Sequence, residues 1–283
     1  MTYQGMTSLP SVDVFVFGQP CQPFSDAGKN LGSKDARGNL VKVGLKYMSK
    51  HYPSVAIMEK VAGLPKRHPK MHKYIMKSIR KMGSGAYQVH QAILNTRDHG
   101  IPQTRKRLYV VALLQAKIRA PFQFPRPIPC LPLRAVLNMR HHGSNADLPE
   151  DKVGITNLIA ALEKLIQHGH NPLSKNILFM CDIYCGLGRT VHCMKNTSPC
   201  ITASRASNKG FWVTGLQRMT TLDELMMLQG MRRDRLDIHG ISRRQIGLMC
   251  GNAMSVNVLT RLLAAVLPAV SALTPVDPWK PHV

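Results

Sequence analysis

The chain has 283 residues, of which 44% are hydrophobic, so it is long enough for one domain with a buried core or for a domain with a small insert. Its formal net charge is +23, and the cations are spread from Lys29 to Arg261 rather than gathered in a tail. A folded surface with this charge predicts a polyanionic partner, although charge does not separate DNA from RNA. No internal repeat or long low-complexity tract is present, which excludes repeat and fibrous classes.

The cysteines and the apolar stretches indicate the cellular compartment of the protein. Seven cysteines, without the spacing of a small disulfide scaffold, predict a reducing compartment. Met1–Pro10 is short and polar, unlike a signal peptide, so we expect the nucleus in a eukaryote and the cytoplasm otherwise. The apolar stretch Val256–Val276 is interrupted by Arg261 and Pro268, which favours a buried helix over a membrane span.

The first part of the chain alternates predicted strands and helices. Strands are expected at Val12–Phe17, Val55–Met58, Tyr87–Leu94 and Leu108–Leu114, and helices at Leu40–Lys50 and His68–Met82. In the second helix, apolar residues recur at helical spacing. This alternation is typical of an α/β fold with a doubly wound, mostly parallel sheet.

The pattern changes after residue 118. Prolines recur between Arg119 and Pro132 and exclude regular structure, so we expect a linker there. Gly154–Gln167 is predicted to be a helix, and Val191–Trp212 is predicted to be rich in loops. Arg218–Val276 is predicted to form two helices that return to the first domain.

Cys21 lies between two prolines, directly after the first predicted strand. This position predicts a stiff and exposed turn, which suits a nucleophile better than a core residue. The alternative is an inert buried thiol. The loop that follows, Asp26–Asn39, has glycines among charged residues and is predicted to close over a substrate.

Four further segments follow Gly18–Ser25 in a fixed order. They are Val55–Lys60, Gln103–Leu114, Arg218–Gly230 and Gln245–Val258. Together the five segments resemble the ordered motifs of the cytosine-5 DNA methyltransferase family, which include Pro-Cys-Gln, Glu-Asn-Val, Gln-x-Arg-x-Arg, Arg-x-Leu-Thr…Leu-Gln-Gly and Gly-Asn-Ala/Ser-Val. The resemblance covers residues 12–114 and 197–267. It implies a class I methyltransferase-like sheet formed by residues 1–118 and 215–283, with a linker and target-recognition region at 119–214.

The resemblance implies transfer of a methyl group from S-adenosylmethionine to carbon 5 of a cytosine flipped out of double-stranded DNA. Cys21 matches the nucleophile that adds to carbon 6 of the base. Glu59 matches the acid that binds the Watson–Crick edge of the base. Arg105 and Arg107 match the pair that holds the base carbonyl and neighbouring phosphates, and Gln103 is expected to be structural support.

The resemblance also implies binding sites for the cofactor and for DNA. Pro20, Asn252 and Met254 match positions of the cofactor site, where Gly251 permits a close backbone approach. The alternative is an ordinary helix entry capped by Asn252. The residues implied to contact DNA are Gln22, Ser25, Arg37, Thr202 and Arg205, although the last two could equally lie in a polar surface loop.

Two features depart from the family pattern. The Phe-x-Gly-x-Gly loop of the family does not precede the Cys21 strand, and the similar segment Asp182–Gly188 is interpreted as a coincidence because of its place in the recognition interval. Lys60 replaces the asparagine that follows the glutamate and cannot accept the same hydrogen bonds. We expect its side chain to turn outward and leave Glu59 in place. From the residues alone, Glu59 could instead be a surface carboxylate paired with Lys60, and the two arginines a solvated edge.

An enzyme is the first hypothesis. The strands missing ahead of Cys21 would then come from a complementing subunit or an N-terminal segment, since their absence would leave a sheet edge exposed. The alternatives are a catalytically silent DNA-binding homologue that needs a partner for cofactor binding, and an enzyme acting on RNA cytosine. No membrane partner is expected. A zinc site from Cys181, Cys185, His192, Cys193 and Cys200 lacks paired Cys-x-x-Cys spacing, so no metal is expected.

Overall fold

A computed structural model of the chain describes residues 9–18, 40–140 and 148–279. They group into two compact units. The first unit contains residues up to Leu94, Lys106–Arg126 and Leu259–Val283, and the second contains Asn95–Arg105 and Pro127–Val258.

The first unit is built on a four-stranded sheet with the strand order β1-β2-β4-β3. Its elements are β1 (Val14–Gly18), α1 (Leu40–His51), β2 (Val55–Val61), α2 (Leu64–Arg67), α3 (Pro69–Lys81), β3 (Tyr87–Asn95) and β4 (Lys106–Leu114). β1 runs parallel to β2, whereas β2 and β4 are antiparallel, so the described sheet is mixed. The predicted strands and helices of this region are confirmed, and so is the α/β class.

The core of the first unit lies between helices and one face of the sheet. Val41, Leu45 and Met48 of α1 and Ile75, Met76 and Ile79 of α3 pack with Ala56 and Met58 of β2 and with Leu108, Val110 and Ala112 of β4. Alternate residues of a strand point to the same face, so these β2 residues share one side of the sheet. All seven residues of β2 are buried, which makes β2 the most enclosed strand of the sheet.

The second unit carries a smaller sheet with the strand order β6-β5-β7-β8. Its elements are α4 (Lys152–Gln167), β5 (Phe179–Cys181), β6 (Cys193–Lys195), α5 (Ala203–Ser207), β7 (Trp212–Val213), β8 (Arg218–Met219), α6 (Leu222–Leu228) and α7 (Arg243–Asn252). Leu158, Ala161 and Leu165 of α4 pack against Phe179 and Trp212. The helix predicted at Gly154–Gln167 is therefore confirmed.

The prediction of two helices between Arg218 and Val276 is wrong. Three helices are present, namely α6, α7 and α8 (Val256–Val270), and α8 begins within the last residues of the second unit. Thr221 and Ser242 each form a capping box, so α6 and α7 start independently. Gly230, with φ of +78°, follows the end of α6 in a conformation that favours glycine.

In the part of the chain that the structure describes, no single helix is long and apolar enough to cross a membrane. Helices α7 and α8 reach the required length and apolar character only when they are taken together, and they are bent by 43° relative to each other. Within α8, Leu262 and Val266 are fully buried. The buried helix expected here is therefore present.

Candidate active site

Several predicted site residues lie outside the described part of the chain. They are Pro20, Cys21, Gln22, Ser25 and Arg37. Gly18 is the last described residue before them, and it is the register partner of Glu59 in the parallel pair of β1 and β2. The chain therefore leaves β1 toward Cys21 from a point beside Glu59.

Glu59 lies near the end of β2 and is only 5% exposed. Its Oε1 accepts a hydrogen bond from Nε of Arg107 at 2.9 Å in an ion pair. The alternative of a surface carboxylate paired with Lys60 is therefore wrong. A buried carboxylate at a strand end, held by a cation, is suited to bind a polar group of a ligand.

The register of the sheet explains why Glu59 meets Arg107. Glu59 is opposite Tyr109 in the antiparallel pair of β2 and β4, and Arg107 is two residues from Tyr109 on the same face. The side chain of Arg107 is 17% exposed, so its guanidinium is half-buried rather than part of a freely solvated edge. Glu59 and Arg107 thus form one preorganised pair inside the first unit.

Lys60 does not turn outward as the sequence predicted. The residue is 1% exposed and is one of the largest fully buried side chains in the described part of the chain. It lies on the opposite face of β2 from Glu59, opposite Leu108 in the register. Because β2 is covered along its whole length, no outward path is available to this side chain.

Gln103 joins three segments of the second unit. It is completely buried, and its Nε2 donates to the carbonyl of Leu228 at 2.7 Å and to Oε1 of Gln229 at 2.8 Å. Its Oε1 accepts from the amide of Ile201 at 3.1 Å. The structural role expected for Gln103 agrees with these contacts.

Arg105 directs its guanidinium donors to the backbone of the second unit. Its Nη1 donates to the carbonyl of Ile201 at 2.8 Å, and its Nη2 donates to the carbonyl of Ala253 at 2.7 Å. The residue is 4% exposed. These contacts are those of a positioning residue, and a contact between Arg105 and the base stays a prediction.

Asn252 ends helix α7 rather than beginning a helix, so the alternative of a helix entry capped by Asn252 is wrong. The carbonyl of Ala253 is held by Arg105 and also accepts from Nε2 of Gln229 at 3.2 Å. Asn252 itself is exposed, and Met254 is half-buried. The turn is therefore anchored through its backbone while the side chain of Asn252 faces outward, which fits a ligand-binding position.

Gly251 permits a close approach, but to another helix of the chain. A Cβ atom at Gly251 would collide with the backbone of Thr202 and Ala203, and one at Gly247 would collide with the backbone of Ala206. Two glycines one helical turn apart therefore let α7 pack directly against α5. The structural reason for Gly251 is this helix contact.

Replacing Gly251 with alanine is expected to lower the free energy of unfolding by about 1–3 kcal/mol, because backbone atoms of α5 must move to admit the methyl group. Chemical denaturation of the purified variant measures the loss. Met249→Ala on the same helix is the control, since Met249 is 58% exposed and its truncation leaves the helix contact intact. Equal stability of the Gly251→Ala variant and the wild type would show that the contact is loose.

Thr202 and Arg205 both make contacts within the second unit. The hydroxyl of Thr202 caps α5 by accepting from the amide of Arg205, and Nε of Arg205 pairs with Oδ1 of Asp182 at 2.6 Å. Asp182 begins the segment Asp182–Gly188, so this segment braces α5 inside the second unit. Contacts of Thr202 and Arg205 with DNA stay predictions.

The cysteines of the second unit include a facing pair. Cys181 of β5 and Cys193 of β6 are direct register partners in an antiparallel pair. A hydrogen bond from the Cys181 thiol lowers the pKa of Cys193 despite its burial. Among the described residues, no group of three or more His, Cys, Asp or Glu side chains is arranged to hold a metal ion.

Arg218 and Glu224 form a buried ion pair that was not predicted from the sequence. Arg218 is 1% exposed, and its Nη2 and Nη1 contact Oε1 and Oε2 of Glu224 at 2.7 and 3.0 Å. The sequence does contain a signal for the position of Glu224, because Thr221 and Glu224 have the spacing of a capping box at a helix start. This pair fixes the start of α6, whose last residue, Leu228, begins the Leu-Gln-Gly segment.

The structure resembles solved methyltransferases. It matches the Entamoeba histolytica methyltransferase EhMeth with a TM-score of 0.60 at 16% identity, over 95% of this chain and 80% of that one. It matches the Dnmt2 methyltransferase of S. pombe with a TM-score of 0.56 at 14% identity, over 90% and 77% of the two chains. The fold is therefore that of class I methyltransferases.

The sequence comparisons give the family. The sequence model of the C-5 cytosine-specific DNA methylase family matches residues 2–267. Type II methyltransferase M.HaeII of Haemophilus aegyptius is 27% identical over 269 residues, which are 95% of this chain and 78% of that protein. Type II methyltransferase M.NgoBI of Neisseria gonorrhoeae is 29% identical over 92% of this chain and 76% of its own length. The chain belongs to the C-5 cytosine-specific DNA methylase family and is a DNA (cytosine-5-)-methyltransferase by class, as the ordered motifs predicted.

Proposed function

We propose that this chain transfers a methyl group from S-adenosylmethionine to carbon 5 of a cytosine flipped out of double-stranded DNA, through a covalent adduct with Cys21. The observation that carries the proposal is the buried pair of Glu59 and Arg107 at the end of β2, beside the point where the chain departs toward Cys21. An acid and a cation at this position can bind the polar edge of an extruded base.

The proposed reaction begins when the thiolate of Cys21 forms a bond to carbon 6 of the cytosine. Glu59 takes up a proton from solvent as the base binds and holds it against ring nitrogen 3, so that negative charge does not build up on the ring. Carbon 5 gains nucleophilic character and would take the methyl group that the cofactor supplies, with the demethylated cofactor as the leaving group. A base or water then takes the proton from carbon 5, the thiolate leaves carbon 6, and the proton on ring nitrogen 3 returns to Glu59, which restores the neutral aromatic ring.

The remaining predicted residues are proposed to support these steps. S-adenosylmethionine would supply the methyl group, and the family resemblance assigns Pro20, Asn252 and Met254 to contacts with it. The outward side chain of Asn252 on a backbone-anchored turn supports this assignment. Arg107 holds Glu59 in place and lies near enough to its carboxylate to contact the base as well. Arg105 keeps the segments of Ile201 and Ala253 together within its own unit.

A duplex that carries 5-fluorocytosine tests the proposal. Fluorine at carbon 5 cannot leave as a proton does, so the reaction stops at the covalent adduct, which denaturing electrophoresis detects. We expect the wild-type chain to form this adduct in the presence of S-adenosylmethionine, and the Cys21→Ser variant to bind the duplex without forming it.

Other outcomes would overturn the proposal. A folded wild-type chain that binds the duplex without forming the adduct would favour the catalytically silent DNA-binding hypothesis. An adduct formed by the Cys21→Ser variant would exclude Cys21 as the nucleophile. An adduct formed only with a 5-fluorocytosine RNA would assign the chain to RNA.

A further inference from the structure

Helix α3 presents a row of cations to solvent. Lys70, Lys73, Lys77, Arg80 and Lys81 are all exposed, and their spacing places them along one side of the helix. The opposite side buries Ile75, Met76 and Ile79 against the sheet. The apolar side is thus already used in folding, which leaves the cationic side for a partner.

A groove runs between this helix and strand β3, which is an edge strand of the described sheet. We call it the α3 groove, and it encloses about 440 Å³. Its lining residues are His72, Lys73, Met76, Lys77, Arg80, Lys81 and Gln91. Nε2 of His72 lies 2.8 Å from Oε1 of Gln91, so helix and strand are joined across the groove.

Among the described residues, no acidic side chain balances the charge of the α3 groove. No acidic residue occurs between Glu59 and Asp98 in the sequence. None of the five cations of the row makes an ion pair with another residue in the described ranges. Such a concentration of one sign creates a potential that attracts an anionic partner.

We infer that the α3 groove binds the phosphate backbone of duplex DNA on the flank of the target cytosine. This inference rests on the proposed function, which brings duplex DNA to Glu59. Only the short helix α2 separates β2 from α3, so the groove begins close in the chain to the acid. The row from Lys70 to Lys81 extends about 16 Å, roughly the length of five base pairs.

The structure favours a nucleic acid over a membrane surface, and the proposed function makes that nucleic acid duplex DNA. A membrane-binding amphipathic helix needs a free apolar face, and the apolar face of α3 is buried in the core. The side chains of the row are long, flexible cations, which neutralise phosphates without reading a base sequence. The α3 groove would therefore raise the affinity for longer duplexes without adding sequence specificity.

The test is a charge-neutral variant compared with a matched control. The groove variant is Lys73→Gln with Lys77→Gln and Arg80→Gln. The control is Lys42→Gln with Lys117→Gln and Arg126→Gln, which removes the same charges from exposed positions in the same unit. Binding is measured to duplexes of about 12 and about 40 base pairs over a range of salt concentrations, where phosphate contacts set the slope.

We expect the wild type and the control to bind the longer duplex more tightly than the shorter one. The groove variant should lose most of that gain, with affinity for the longer duplex about tenfold lower or more and a salt slope reduced by about 1 for each lost contact. Adduct formation on the short 5-fluorocytosine duplex should be unchanged in the groove variant, which tests the proposed function separately. If the groove variant and the control behave alike on the longer duplex, or if only binding to single-stranded RNA or anionic vesicles falls, the inference is wrong.

Discussion

Replacing Glu59 with glutamine is expected to lower the rate of methyl transfer by a factor of about 10²–10⁴, the range that a positioned proton donor contributes. Glutamine keeps the shape of the side chain and can still hydrogen-bond with Arg107, but it cannot transfer a proton to the base. Since Glu59 is 5% exposed, water cannot readily replace it as the donor. The measurement is kcat for label transfer from S-adenosylmethionine to DNA at saturating concentrations of both.

The same substitution at an exposed site provides the control. Glu163→Gln on helix α4 makes an identical chemical change at an exposed carboxylate, and its kcat should equal that of the wild type. The Glu59→Gln variant should also bind DNA about as tightly as the wild type, because the change removes a proton donor and not a phosphate contact. A Glu59→Gln enzyme that retains more than about a third of the wild-type kcat would exclude Glu59 as the acid.

The local features of this site were predictable from the sequence. The run Val55–Met58 has the apolar continuity of a buried strand, and the structure extends it to Val61. Glu59 directly follows this run, so the sequence places it near the end of a buried strand. The run Leu108–Leu114 predicted an equally clear strand, and the structure begins this strand at Lys106, so that it includes Arg107.

The long-range features were not predictable, because they depend on pairings between distant segments. The register that sets Arg107 beside Glu59 joins two strands that are far apart in the sequence, Val55–Val61 and Lys106–Leu114. The full burial of Lys60 depends on the covering of both faces of β2, which no local pattern of charges shows. Likewise, Gly251 is required by the packing of α5, a five-residue helix that no sequence pattern predicted.

The carboxylate of Glu224 is the centre of a fully satisfied polar cluster in the second unit. Oε1 accepts from Nη2 of Arg218 at 2.7 Å and from the amide of Asn138 at 2.8 Å. Oε2 accepts from Nη1 of Arg218 at 3.0 Å and from the amide of Thr221 at 2.8 Å. Although burial opposes it, these donors lower the pKa of Glu224. The cluster holds β8, the start of α6 and the segment of Asn138 in one arrangement.

Replacing Glu224 with glutamine is expected to lower the free energy of unfolding by about 3–5 kcal/mol, because it removes the carboxylate that pairs with the buried guanidinium of Arg218. Urea denaturation of both proteins at neutral pH measures the difference. The matched control is Asp223→Asn, since Asp223 also pairs with an arginine at 2.9 Å but is 55% exposed, and exposed pairs contribute about 1 kcal/mol or less.

The dependence on pH provides a second readout for Glu224. Because its pKa is lower in the folded protein than the ordinary value of 4.5, its stabilisation is fully present above that value and is lost as the pH falls through the folded-state pKa. The difference in stability between the wild type and the Glu224→Gln variant should therefore be constant near neutrality and shrink in acid. A difference of less than about 1 kcal/mol at neutral pH would show that Arg218 finds other partners and that the cluster is not a centre of stability.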